Sequence, residues 1–217
     1  MNCCTSSQCQ ALDEIFDTKY AESDLKAYRK NGPAKTTRTL LQAVQAQGGV
    51  RGRSLIDIGG GIGAIQLELL KAGLAQSTAV DASAAFLATA RAEAERAGFG
   101  DRTAYKHGNF VEHADGVAPA DIVTLDRVIC CYPDMHALVR RSAERAARVY
   151  ALVSPRDSWW MHAAKHGLNA WERLQRSAFR FFVHPDAEVE AILAERGMTR
   201  RFHKTLGVWQ VNVWALG

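Results

Sequence analysis

Short apolar runs along the chain are separated by longer stretches in which apolar residues recur at every third or fourth position, the pattern of strands alternating with helices. Residues 10–30 read as helical and stop at Asn31-Gly32-Pro33, and residues 37–46 form a second helix that leads into Gly48-Gly49. Strands are then expected at 53–57, 77–81, 103–107, 121–125 and 149–153. Helices are expected to about residue 72 after the first strand, over 84–97 after the second and over 135–147 after the fourth. The fifth strand should end at Ser154-Pro155, because proline has no N–H to give a central ladder. An aromatic-rich insertion at 159–183 precedes a helix over 186–196, and two last strands, 199–206 and 208–216, meet tightly at Gly207.

This order predicts an α/β fold: a seven-stranded, mostly parallel, doubly wound sheet with a C-terminal antiparallel hairpin and a helical N-terminal cap. Residues 1–46 would be the cap or lid, and 47–217 the sheet domain with its insertion. At 217 residues and 47% hydrophobic, one sizeable domain is expected. No continuous apolar run approaches the roughly 18 residues of a membrane span, so no membrane partner is expected. Residues 1–20 are polar and acidic, and five cysteines suit a reduced, cytoplasmic protein better than a disulfide scaffold. The net charge of +4 is modest. Arg140, Arg141, Arg145 and Arg148 fall at spacings of a solvated helix face, and no basic stripe with interleaved aromatics is present, so no nucleic-acid partner is expected.

The chemistry concentrates in residues 54–70, a buried strand that enters a glycine turn and leaves as an amphipathic helix. Gly59, Gly61 and Gly63 let the backbone take positive φ and approach a ligand closely. Asp57 stands two places before the first of them, where a carboxylate would repel a pyrophosphate and suit a cationic amino-acid ligand. Gly59, Gly61 and Ala64 also fit the dinucleotide fingerprint Gly-x-Gly-x-x-Gly/Ala, with Asp81 at about the 20-residue distance of a ribose ligand. Spacing alone leaves both open, and the charge of Asp57 favours the first.

With Asp57 included, the run Asp-x-Gly-x-Gly-x-Gly resembles the motif of class I S-adenosylmethionine-dependent methyltransferases, and the terminal hairpin resembles their seven-stranded sheet. The resemblance implies S-adenosyl-L-methionine as cofactor, a small-molecule acceptor, and a monomer or homodimer. It implies that Asp57, Gly59, Gly61 and Gly63 serve the amino-acid half, and that Asp81 with Ala82 serves the ribose. Asp81 or Ser83 fits equally as a helix cap. Asn109 would meet the adenine edge and Phe110 its ring, with a simple turn as the plainer role for Asn109. Asp126 and Arg127 follow the fourth strand, where Asp126 would touch the methionine ammonium and Tyr132 would border the acceptor. Tyr28 together with Tyr132-Pro133 resembles the magnesium-protoporphyrin methyltransferases. The position before Tyr-Pro, a histidine in that family, is Cys131 here, so the family's base is missing and a porphyrin carboxylate is not implied.

Base candidates that remain are His136, one turn beyond Tyr132, and His162 and His166 in the insertion. The latter pair share a helix face at i and i+4, but with no third ligand fixed nearby no metal site is expected. Trp159, Trp160, Trp171, Phe179, Phe181 and Phe182 would form either an apolar lid or ordinary packing or a dimer contact. Cys3, Cys4 and Cys9 at the front, with Cys130 and Cys131 at the expected site, open a second function, methylation or thiolate binding of a soft metalloid or thiol compound. Small buried residues at 130 and 131 and a frayed tail are the plainer explanation. A third function is a cofactor-binding protein without turnover. The front helices are expected to close over the site with Tyr28 near the methyl donor and Arg29 or Arg38 on the cofactor carboxylate.

Overall fold

Strand alternation and the switch between two helix layers organise the molecule, whose computed structural model describes residues 7–217. Helices α1 (Ser7–Ile15), α2 (Thr18–Asn31) and α3 (Lys35–Gln45) precede the sheet. Then come β1 (Ser54–Ile58), α4 (Ala64–Lys71), β2 (Gln76–Asp81), α5 (Ala84–Arg96), β3 (Thr103–His107), α6 (Phe110–His113) and β4 (Ala120–Asp126). They are followed by α7 (Met135–Ala143), β5 (Ala146–Pro155), α8 (Trp159–Leu174), α9 (Asp186–Glu195), β6 (Met198–Leu206) and β7 (Trp209–Leu216). The seven strands lie in the order β3-β2-β1-β4-β5-β7-β6, with β7 antiparallel to both of its neighbours and every other pairing parallel. The expected fold is therefore the observed one.

Successive strand residues point to opposite faces, and each face has its own core. Ile56, Ile58, Val123, Leu125 and Leu152 pack with residues of α6, α7 and α9 on one face. Leu55, Ile122, Val149 and Ala151 pack with α3 and α4 on the other. A third, smaller cluster joins the front helices to the sheet: Ala21, Ile62 and Phe86, with Phe16, Leu25 and Tyr28 against them.

Three local expectations need correction. The first helix is two, because Asp17 stops α1 and caps α2, its carboxylate accepting the Tyr20 N–H at 2.8 Å. The helix expected to residue 147 ends at Ala143: Ala146 pairs with Ala120 of β4, and sheet pairing overrides alanine's helix preference. Pro155 continues β5, paired with Trp209. This is tolerated because β4 ends at Asp126, opposite Val153, so at Pro155 only β7 remains as a neighbour. Removing side-chain volume from the centre of this sheet should be costly. Leu125→Ala, at a position with 0% exposure, is expected to lower stability by about 2–5 kcal/mol in urea denaturation.

Candidate active site

β1 ends where the chain must turn over the sheet edge, and the turn is made of glycine because the backbone needs it. Gly59 has φ +60°, and a Cβ there would lie 2.5 Å from the Val128 side chain. Gly61 has φ +55°, yet the nearest atom to an added Cβ is the Phe86 ring at 3.9 Å, so this position opens onto free space. Gly63 differs from both: an added Cβ would press on Ala90 of α5 at 3.2 Å, so it serves helix packing and lies off the cavity.

Asp57 is not on the cavity wall, contrary to expectation. Strand alternation turns its side chain under α4, where it is fully buried, accepting the Thr124 hydroxyl at 2.6 Å and the Gln66 amide at 3.4 Å. Burial, opposed by those two hydrogen bonds, raises its pKa to about 7. The carboxylate on the wall in its place is Asp126. It accepts the Thr37 hydroxyl at 2.5 Å and Arg127 Nε at 3.0 Å. Arg127 sits at φ +62°, an uncommon conformation for a side-chain-bearing residue, and is held there by its N–H bond to the Val153 carbonyl at 3.0 Å.

Asp81, at the end of β2, accepts from the Gly61 N–H at 3.0 Å and the Ser83 N–H at 2.9 Å. The cap of α5 is Ser83, which accepts the Phe86 N–H at 3.1 Å, so Asp81 fixes the glycine turn rather than the helix. Asn109 does cap α6 through Val111 N–H at 3.1 Å, and its Oδ1 also accepts the Tyr132 hydroxyl at 3.1 Å. These groups line one cavity of about 700 Å³, together with Ala82, Phe110, Arg127 and Tyr132. That volume lies within the range of small-molecule sites.

The front helices supply another wall: Leu12, Phe16, Tyr20, Asp24 and Tyr28 face the same cavity. The Tyr28 hydroxyl donates to Glu68 at 2.7 Å, and burial raises its pKa, as burial does for Tyr132. Both phenols are therefore neutral at neutral pH. Burial also raises the pKa of the Asp24 carboxyl, partly offset by Arg127. Arg29 points away, paired with Glu93 at 2.5 Å, whereas Arg38 is on the cavity wall. Asp24 and Thr37 had no sequence signal, since each is one polar residue within an ordinary amphipathic helix.

The histidines are not brought to the site. His136 stands on the surface, 3.1 Å from Glu188, because α7 turns it toward α9. His162 pairs with Asp157 at 2.7 Å, and neither it nor His166 lines the cavity. Of the insertion aromatics only Phe179 and Phe181 reach the wall, which leaves Trp159, Trp160, Trp171 and Phe182 outside it. Cys130 and Cys131 do line it, with their sulfurs 3.7 Å apart. Cys3 and Cys4 lie outside the described residues, as does the side chain of Cys9, and among the described residues no cluster of three metal-ligating side chains occurs.

Residues 55–155 match a family described as "Methyltransferase domain", and no curated protein matches the chain. Among solved structures, the magnesium protoporphyrin IX methyltransferase of Synechocystis PCC 6803 with bound SAH is similar at a TM-score of 0.71 and 17% identity, over 98% of this chain and 100% of that one. An O-methyltransferase family protein from Burkholderia thailandensis gives 0.69 and 16%, over 94% and 62%. A complex of the Haloferax volcanii Trm112 methyltransferase activator with a methyltransferase gives 0.65 and 13%, over 94% and 96%. Fold and match together define a class I methyltransferase domain. Residues 55–155 carry that methyltransferase domain, whose methyl donor is S-adenosylmethionine.

The buried Asp57 makes stability depend on pH. Between its ordinary value of 3.8 and about 7, the folded carboxyl keeps a proton that the unfolded chain has released, so this group's contribution falls as pH rises through that window. Asp57→Asn keeps an acceptor for Thr124 and removes the ionisation. Urea midpoints measured across that range should fall for the native chain and stay flatter for the variant.

Proposed function

We propose that the chain transfers a methyl group from S-adenosyl-L-methionine to a small, largely apolar molecule, held in the part of the cavity bordered by Cys131, Tyr132, Phe179, Phe181 and Trp209. The observation that carries this reading is one continuous cavity whose wall combines the glycine turn and fixed carboxylates with aromatic rings and sulfur.

The residues present fit the cofactor. Gly61 leaves the room a Cβ would fill, Asp81 is anchored by two backbone N–H groups at the wall, and Asn109 and Phe110 stand together at the end of β3. In this reading Asp81 with Ala82 holds the ribose, Asn109 and Phe110 hold the adenine, and Gly59 and Gly61 flank the amino-acid half. Asp126 takes the ammonium in place of Asp57, and Arg38 takes the carboxylate. When bound, the cofactor supplies a methyl group made electrophilic by its sulfonium.

Chain groups then orient the acceptor and exclude water. Phe16, Tyr20 and Tyr28 form the cover from the front helices, and desolvation matters because charge is lost as the methyl moves. Orientation alone can supply as much as about 7–11 kcal/mol in favourable cases. The neutral phenols of Tyr28 and Tyr132 shape the wall and donate hydrogen bonds. Asp24, a cavity carboxyl with a raised pKa, is the group placed to receive a proton from a hydroxyl acceptor.

Calorimetry should show micromolar binding of S-adenosylmethionine and none of NADH, and mass spectrometry of a metabolite panel should reveal a methylated product. Asp81→Ala is expected to weaken cofactor binding by about 1.5–3 kcal/mol while leaving the sheet folded by circular dichroism. An unchanged dissociation constant would reduce Asp81 to a support for the glycine turn.

A further inference from the structure

Helix α8 exposes large apolar side chains along much of its length. At about 100° per residue, its outward half-circle carries Trp159, Ala163, Gly167, Leu168, Trp171 and Leu174. Trp159 is 83% exposed, Trp171 58% and Leu174 76%. The side facing the protein carries the buried Met161 and polar residues with a structural role. Asn169 donates to the Phe181 carbonyl and accepts the Phe181 N–H, both at 2.8 Å, and His162 pairs with Asp157. These bonds hook α8 onto the strap that follows it, and the strap is tied to the cavity wall by the Phe182 N–H bond to the Cys130 carbonyl at 2.7 Å. Phe179 and Phe181 of that strap line the cavity, so the exposed apolar face and this aromatic part of the wall belong to one unit. Just before the helix, the Arg156 N–H donates to the carbonyl of Val208, itself exposed at the hairpin tip, at 2.9 Å.

Charge indicates what covers this face. Residues 156–180 hold five basic residues, Arg156, Lys165, Arg173, Arg176 and Arg180, against Asp157 and Glu172, a net +3 of the whole chain's +4. A tryptophan-rich apolar face bordered by net positive charge has the composition of a helix that lies in the headgroup layer of an anionic bilayer. Indole rings favour that boundary, where one part of the ring is apolar and the N–H remains wet.

We propose that α8 docks the protein on an anionic membrane surface, and that the acceptor is a lipophilic molecule passing from the bilayer past Phe179 and Phe181 into the cavity. The acceptor class rests on the methyl-transfer reading, whereas the docking does not. In this arrangement no segment crosses the bilayer, in keeping with the absence of any sufficiently long apolar helix among the described residues.

The test is co-sedimentation of the full chain with phosphatidylcholine vesicles, with and without phosphatidylglycerol. The native chain should pellet with the anionic vesicles, at least tenfold more strongly than with phosphatidylcholine alone, and be released by high salt. The triple variant Trp159→Ser, Trp171→Ser, Leu174→Ser should lose vesicle binding at least tenfold and keep the native S-adenosylmethionine dissociation constant, which also reports that it is folded. Arg173→Glu with Arg176→Glu should lose the preference for anionic lipid. Failure of the native chain to pellet would overturn the docking. So would a concentration-dependent dimer in sedimentation velocity, lost in the triple variant, that leaves vesicles unbound. Vesicle binding without cofactor binding would sustain the docking and sink the methyl-transfer reading, so the two failures are distinct.

Discussion

The hydrogen bond from the Thr124 hydroxyl to Asp57 lies where the winding of the chain reverses. Asp57 and Thr124 are register partners on β1 and β4, the two central strands. From β1 the sheet grows outward through β2 and β3, and from β4 through β5 in the opposite direction. Connections leaving the two strands therefore diverge, and a crevice opens beyond their carboxyl ends. The glycine turn, Asp81 with Ala82, Asn109 with Phe110, and Asp126 stand at or just beyond the carboxyl ends of β1, β2, β3 and β4, and Arg38 of α3 lines the same opening. The bond keeps the two strands together beneath the opening, and the partly protonated carboxyl tolerates burial because it has partners on both oxygens.

The crevice becomes a chamber only through parts outside the sheet. Front helices close one side with aromatic rings, and the strap after α8 closes another with two more. Between them Arg127, in a conformation that its backbone bond must enforce, is paired to Asp126 and thereby fixes the carboxylate that faces the cavity.

The strands themselves, the terminal hairpin and the glycine turn were legible in the sequence because each depends on local rules: strand-length apolar runs, a glycine where φ must be positive, a tight turn at Gly207. Asp57 was misplaced for a reason that is also local, since two-residue alternation from Leu55 already turns it toward the layer of α3 and α4. Alternation was applied to the hydrophobic residues and not to the carboxylate. His136 and Arg29 could not be placed from sequence, because their partners, Glu188 and Glu93, are 52 and 64 residues away. The split between α1 and α2 was readable from Asp17 as a cap, whereas the early end of α7 was not, because only the pairing of Ala146 with Ala120 accounts for it.

The Arg29 to Glu93 contact, reinforced by Arg96 on the same carboxylate at 2.5 Å, clamps α2 to α5 at the margin of the chamber. Beside this clamp, α1 and α2 are held by the Tyr28 hydroxyl on Glu68 and the Ser83 hydroxyl on the Phe16 carbonyl, and their apolar contact is the smallest of the three clusters. Units with few buried contacts open at a free energy well below that of global unfolding. Were this cover to open ahead of the sheet, exchange of a molecule in the chamber would be a matter of kinetics at the clamp as well as of affinity within the cavity.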